Sequence, residues 1–454
     1  MNLHRLLLAR QAQDNPIRIG VIGCGKFASM FLAQVIRTPG LHVAVIADMN
    51  PESARKNLAR IGWQPERYAS PDLGAALRSG AAWITDDSQA PFREGAIDLI
   101  VDATGDPAAG VRHVLLACHH GKPIIMVNVE ADALAGPLLA QKAREAGIVY
   151  SLAYGDQPAL ICDLVDWARA SGFDVIAAGR GHKWLPEFRF YTPDNVWDGY
   201  GLTPEQAVDG GLNPRMFTSF LDGSKPAIES TAVANATGLT PAPDGLGYPP
   251  TSIDGLPNVC RTRCEGGTLH HKGQVEVVSS LHRDGVPIEY DIRFGVFVVF
   301  EADNDYIARC FREYGLTTDD SGRYAAMYKR WHLIGLELGI SVASVVLRGE
   351  PTGAATGWRA DTVAVAKRDL AAGELLDGEG GHTVSGQLMP AARSLQEGAL
   401  PMGLTHRTRL VNAIERGQLV RWSDVAVDGS DPAVRLRREM ERLNRPTLLQ
   451  TADT

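Results

Sequence analysis

Three things are scarce in this chain of 454 residues. Cysteine occurs six times, at Cys24, Cys118, Cys162, Cys260, Cys264 and Cys310. That is too sparse and irregular for a disulfide scaffold, and it predicts a reducing compartment. Apolar runs are short. No stretch approaches the ~18 residues of a membrane span, and Leu6 to Ala9 is too brief for a signal segment. Basic runs are missing as well, and the net charge of -8 gives no attraction to a phosphate backbone. The expectation is a cytoplasmic protein without nucleic-acid or membrane partners.

What is present is ordinary globular composition, 45% hydrophobic and 22% charged, in a chain long enough for two or three domains. Leu3, Leu6 and Leu7 suggest a short amphipathic arm. From Ile17 to Ile22 the residues are apolar apart from Arg18, and a glycine-rich turn then precedes Phe27, Ala28, Met30, Phe31, Leu32 and Val35 at helical spacing. Gly23, Gly25 and Ala28 fit G-x-G-x-x-A, in which glycines make the turn and admit a pyrophosphate while a small residue packs helix on strand. Lys26 and Phe27 open that helix, whose N–H groups would hold the phosphates. A second apolar run, Val43 to Ala47, ends in Asp48, placed for the adenine ribose. The same glycines nearly spell a triphosphate-binding loop, Gly20-x-x-x-x-Gly25-Lys26, but Phe27 stands where a magnesium-binding Ser or Thr is required.

Asp48 favours NAD by repelling a 2'-phosphate, whereas Asn50, Arg55 and Lys56 could accommodate NADP, so the residues leave NAD(P)H choice open. Strand signals at Asp98–Ala103, Pro123–Val127 and Ile148–Leu152 alternate with helical ones at Pro107–His120 and Ala131–Ala146. This predicts an α/β, Rossmann-type doubly wound parallel sheet. The turns holding Thr104 and Gly105, and Asn128, either line the nicotinamide half or cap the helices that follow them.

Beyond Leu152 a mixed α+β substrate and dimerisation domain is expected. A turn carries Asp156, a helix is expected at Ala159–Ala170 and a strand at Asp174–Ala178. The stretch Gly179-Arg180-Gly181-His182-Lys183 reads as a turn that presents Lys183 as the leading catalytic candidate, able to reach a substrate oxygen. Glu229 lies in a small-residue helix, Ala227–Ala236. The runs Gln274–Leu281 and Ile288–Val299 flank Arg283-Asp284-Gly285 and predict an antiparallel hairpin.

Metal-like sets are weak. Glu301, Asp303 and Asp305 could hold a divalent cation but are more simply a solvated strand end, and Cys260, Cys264, His270 and His271 lack zinc spacing, so no metal ligand is assigned. His332 begins a helical run through Val345, either as a buried cap or as an acid/base. Arg180, His271, Lys272, Arg323 and Lys329 are possible phosphate ligands. Asp431–Asn444 reads as a solvated charged helix, followed by a tail.

The amino-terminal third resembles the NAD-binding domain of homoserine dehydrogenases. Ala366-Lys367-Arg368-Asp369-Leu370-Ala371-Ala372-Gly373-Glu374 and Asp424-Val425 resemble a β-rich SAF domain. The order of these pieces, with the stretch Ala325 to Glu337, is similar to the 1-deoxy-D-xylulose 5-phosphate reductoisomerase-like (DRL) oxidoreductases. That resemblance implies NADPH-dependent rearrangement and reduction of a phosphorylated deoxy-ketose for isoprenoid biosynthesis, in homodimers. A homoserine-dehydrogenase-like, polyol or sugar-acid dehydrogenase is the second enzymatic reading, and a non-catalytic NAD(P) or sugar sensor the third. Domain boundaries are expected at 1–152, 153–358 and 359–454. The chemistry is expected in a cleft between the nucleotide and middle domains, with the SAF-like segment outside the immediate site.

Overall fold

The computed structural model describes residues 2–451. Its first unit comprises Met1–Leu160 together with Leu333–Ala354, with Met1 outside the described residues. Six parallel strands run in it: β1 (Ile17–Ile22), β2 (Leu41–Ala47), β3 (Trp83–Thr85), β4 (Leu99–Asp102), β5 (Ile124–Met126) and β6 (Tyr150–Leu152). Their order, β3-β2-β1-β4-β5-β6, is that of a doubly wound dinucleotide-binding sheet. The apolar runs become strands because helices cover the sheet on both sides, which demands continuous hydrophobicity. Ile19, Val21, Leu99 and Val101 are accordingly buried beneath Phe31 and Leu32 of the helix Lys26–Val35.

The helices Pro107–His120 and Val129–Glu145 stand where the periodicity places them. The amino-terminal arm is a ten-residue helix, Leu3–Ala12, which buries Leu3 and Leu7 and packs against the helix Gly339–Arg348. That second helix starts later than its apolar pattern suggests. The Leu333 N–H donates to Glu337 Oε2 at 3.3 Å, closing a turn where a helix from His332 was expected.

The second unit comprises residues 161–332 and the chain from 355 onward. A four-stranded mixed sheet is built from β7 (Asp174–His182), β8 (Gln274–Ser279), β9 (Val296–Glu301) and β10 (Tyr324–Lys329), in the order β10-β9-β7-β8. The expected hairpin is therefore corrected. Its turn forms, with the His282 N–H on Val286 O at 2.8 Å, but β7 lies between β8 and β9, parallel to one and antiparallel to the other.

The stretch expected to be a turn, Gly179 to His182, also continues β7. Glycine reads locally as a break, but here it permits close approach. A Cβ on Gly179 would stand 1.7 Å from Glu276 O, and one on Gly181 would stand 2.1 Å from Ile292 O.

Further along, β11 (Ala360–Ala366) pairs antiparallel with β12 (Val384–Pro390). The helix Ser224–Thr237 packs on both strands. The terminal charged helix, Pro432–Thr451, is not a solvated face. Arg437 is fully buried against Asp361 and Glu441, because ion pairing and hydrogen bonding replace its water. The expected tail is helical as far as Thr451, and 452–454 lie outside the described residues. No helix among the described residues is long and apolar enough to cross a membrane.

Candidate active site

The dinucleotide half follows from its turn. Gly23 has φ +90, a left-handed conformation that glycine adopts without strain, and its N–H donates to Ala47 O at 2.8 Å. Gly25 leads into the helix Lys26–Val35 with no side-chain cap, and nothing lies within 4 Å of where its Cβ would be. Free N–H groups and the positive end of the helix dipole therefore face open space, a fit for a pyrophosphate. Ala28 is buried against the sheet, Phe27 is half-buried and Lys26 is exposed.

Asp48 locks this turn from the end of β2. One carboxylate oxygen accepts the Cys24 N–H at 2.8 Å and the other accepts the Asn50 N–H at 2.8 Å. Each oxygen keeps a further lone pair for a ribose hydroxyl. Asn57 completes the brace by donating to Cys24 O at 2.7 Å, a role that sequence reading missed.

At the carboxyl ends of β4 and β5, capping accounts for Asn128. It is fully buried, donates to Asp106 O at 2.8 Å and Thr104 Oγ1 at 3.1 Å, and accepts the Ala131 N–H at 3.1 Å. Asn128 therefore shapes the turn, while Gly105 is exposed and Thr104 half-buried at its surface. Thr104 in turn donates to Asp102 at 2.7 Å. Asp156 is buried, and its carboxylate accepts the Gln157 N–H at 2.9 Å as the helix Gln157–Ala170 begins.

In the second unit, the end of β7 places Arg180, His182 and Lys183. Lys183 is half-buried, donates to Gly199 O at 2.7 Å and lies 5.8 Å from the Tyr200 ring centre. Burial and the nearby Arg293 guanidinium hold its amine below the ordinary lysine range. Burial, with Arg180 and Arg293 adding, keeps His182 neutral well below its usual pKa. Tyr200 is pushed up to about 12, chiefly by burial.

Arg293 is the residue that sequence reading missed, an arginine inside an apolar run. Its guanidinium lies 5.9 Å from the Tyr200 ring centre and 4.9 Å from that of Phe294, and no carboxylate pairs with it among the described residues. Glu229 forms a buried ion pair with Arg180, so it holds that guanidinium in place.

Other candidates are spoken for. Lys272 bridges Glu301 at 2.7 Å and Glu265 at 3.3 Å, and Arg323 meets Asp305 at 2.7 Å, which corrects both the open phosphate ligands and the three-carboxylate cation set. His271 meets Thr240 Oγ1 at 2.6 Å, His270 and His271 face each other through their Nδ1 atoms, and Cys260 is buried in the apolar core. No cluster of three or more metal-ligating side chains forms among the described residues. His332 is half-buried with Nδ1 2.7 Å from Phe294 O, so it is not the cap of a helix.

Residues 155–338 match the family model described as oxidoreductase DRL, catalytic domain, and residues 361–426 match the SAF domain. The doubly wound sheet precedes the segment that matches the oxidoreductase model. No curated protein matches the chain.

Among solved structures, three show limited similarity to this chain. An oxidoreductase from Agrobacterium radiobacter in complex with NAD+, L-tartaric acid and magnesium is 18% identical, over 41% of this chain and 47% of that one, at TM-score 0.27. A 1-deoxy-D-xylulose 5-phosphate reductoisomerase from Zymomonas mobilis in complex with NADPH is 19% identical, over 48% and 57%, at 0.33. A putative NADPH-dependent oxidoreductase from Desulfitobacterium hafniense is 10% identical, over 74% and 89%, at 0.35. The match spans about half the length of the first of these.

Proposed function

We propose that this enzyme transfers hydride between NAD(P)H and the carbonyl carbon of a small, anionic substrate. The observation that carries the reading is the pair of cationic groups beside Tyr200: Lys183, with its amine depressed, and Arg293, with no carboxylate partner among the described residues. When bound, the nicotinamide supplies or accepts the hydride. Gly23, Gly25 and Asp48 bind the dinucleotide, Lys183 donates a hydrogen bond or proton to the carbonyl oxygen, and Arg293 holds the substrate's anionic group. Asp156 and His332 remain candidates for moving a proton.

Asp48 supports NAD, whereas the family resemblance supports NADPH. A phosphorylated deoxy-ketose, as in the reductoisomerases, is the finer reading that the resemblance and the open Arg293 favour together. The chain acts, in this proposal, as a cytoplasmic homodimer, which sedimentation of the purified protein checks. Nicotinamide absorbance is to be followed with matched phosphorylated and unphosphorylated sugars, sugar acids and aldehydes. Turnover with equal specificity for both members of each pair would remove the anion site. Tight dinucleotide binding without any turnover would leave a sensor.

A further inference from the structure

The helix Ser224–Thr237 is buried on all sides, and its two faces have different partners. Along one face, residues seven and four apart fasten it to the SAF domain. Ser224 Oγ accepts the Gly386 N–H at 2.7 Å, the Thr231 and Thr362 hydroxyls meet at 2.8 Å, and Asn235 Oδ1 accepts the N–H groups of Arg359 at 2.7 Å and Ala360 at 3.1 Å. Glu229 projects from the opposite face to Arg180. The helix that fixes Arg180 is thus seated on SAF strands.

A single SAF side chain joins this helix to the Lys183 surroundings. Lys367 stands just after β11, buried, with Nζ 2.7 Å from Asp222 Oδ2, 2.7 Å from Tyr191 O and 2.8 Å from Gly381 O. The ammonium donates to the two carbonyls and its charge is paired with the Asp222 carboxylate. Asp222 uses its other oxygen to accept the Ser224 N–H at 2.8 Å, which starts the Glu229 helix. Tyr191 leads into the segment whose Gly199 carbonyl accepts from Lys183.

We infer that Lys367 is a positioning residue of the oxidoreductase site, through which the SAF domain sets the placement of both Lys183 and the Glu229–Arg180 pair. Three observations agree on this: the hub's charge is paired and its ammonium bonded to two carbonyls, it is closed to solvent, and each arm ends on a segment that holds a site group. A SAF domain merely appended for assembly would have no reason to spend a buried lysine on two catalytic-domain segments. The inference rests on the reading of Lys183 as a site residue, but its test needs neither substrate nor cofactor.

The test compares the full-length parent with Lys367→Met and with Lys367→Met/Asp222→Asn, which removes both buried charges and keeps an oxygen for the Ser224 N–H. Lysines are reductively methylated with 13C-formaldehyde, and the Lys183 resonance, assigned with Lys183→Arg, is titrated by NMR. The single variant should lose thermal stability and the double variant should regain most of it. In the double variant the Lys183 midpoint should still differ from that of the parent by about half a unit or more, because Gly199 and Arg293 no longer sit as before. A folded double variant with the parent's midpoint would overturn the inference. If the double variant does not fold, Lys367→Arg serves, since its bulkier head cannot keep all three contacts: a displaced midpoint supports the positioning role and an unmoved one refutes it. Failure of the oxidoreductase reading would show separately, as missing turnover in a parent whose Lys183 midpoint responds as stated.

Discussion

Arg180 of β7 and Glu229 of the Ser224–Thr237 helix form an ion pair nearly closed to solvent, with side chains 10% and 4% exposed. Removing one partner strands the other charge. Glu229→Ala should therefore cost about 3–5 kcal/mol of stability. Urea unfolding measures this, and a loss below about 1 kcal/mol would mean that water or another group takes the carboxylate's place.

Lys183 is predicted to stabilise charge on the substrate oxygen. Lys183→Ala should lower turnover by about two orders of magnitude with dinucleotide affinity little changed. Steady-state kinetics beside a cofactor titration checks both halves. Turnover at the parent rate would remove Lys183 from the site.

Asp48→Ser should shift preference toward NADP, because the carboxylate that would repel a 2'-phosphate is gone. The structure adds a second effect. The Cys24 N–H loses its strong acceptor, so affinity for both dinucleotides should fall while their ratio moves. An unchanged ratio of the two dissociation constants would show that Asp48 only braces the turn.

Asp132 is fully buried in the helix Val129–Glu145, accepts from Tyr150 OH at 2.7 Å, and is raised by burial from 3.8 to about 6. The folded chain therefore holds this proton more tightly than the unfolded chain. The associated stability is complete below about pH 4 and is lost as pH rises through 6, roughly 3 kcal/mol in all. Asp132→Asn should flatten the dependence of melting temperature on pH in that window. A variant that keeps the parent's slope between pH 4 and 6 would assign it to another group, with Glu276, raised by burial to about 7, the next to examine.

The nucleotide-binding unit was legible because each of its signals is local. Apolar runs mark β1, β2 and β4, a glycine pattern marks the turn, and Asp48 ends a strand in the expected place. The second sheet was not, because its order depends on pairing between distant segments. The turn at Arg283-Asp284-Gly285 is real, yet nothing near it in sequence announces that β7 separates β8 from β9. Gly179 and Gly181 misled for a related reason: their purpose is visible only once Glu276 O and Ile292 O are beside them. Arg437 was passed over because burial of an arginine depends on partners that the chain supplies elsewhere, and Arg293 because its neighbours Lys183 and Tyr200 are distant in sequence.

The return of Leu333–Ala354 to the first unit bears on how the protein is made. The glycine turn and all six strands of the nucleotide sheet have been synthesised by Leu152, but the helix that covers Leu3 and Leu7 begins at Gly339. A nascent chain must therefore carry that apolar surface uncovered through the synthesis of the whole intervening catalytic segment, at roughly 5–20 residues per second. The interval runs to many seconds, and throughout it the arm waits for the helix that covers it.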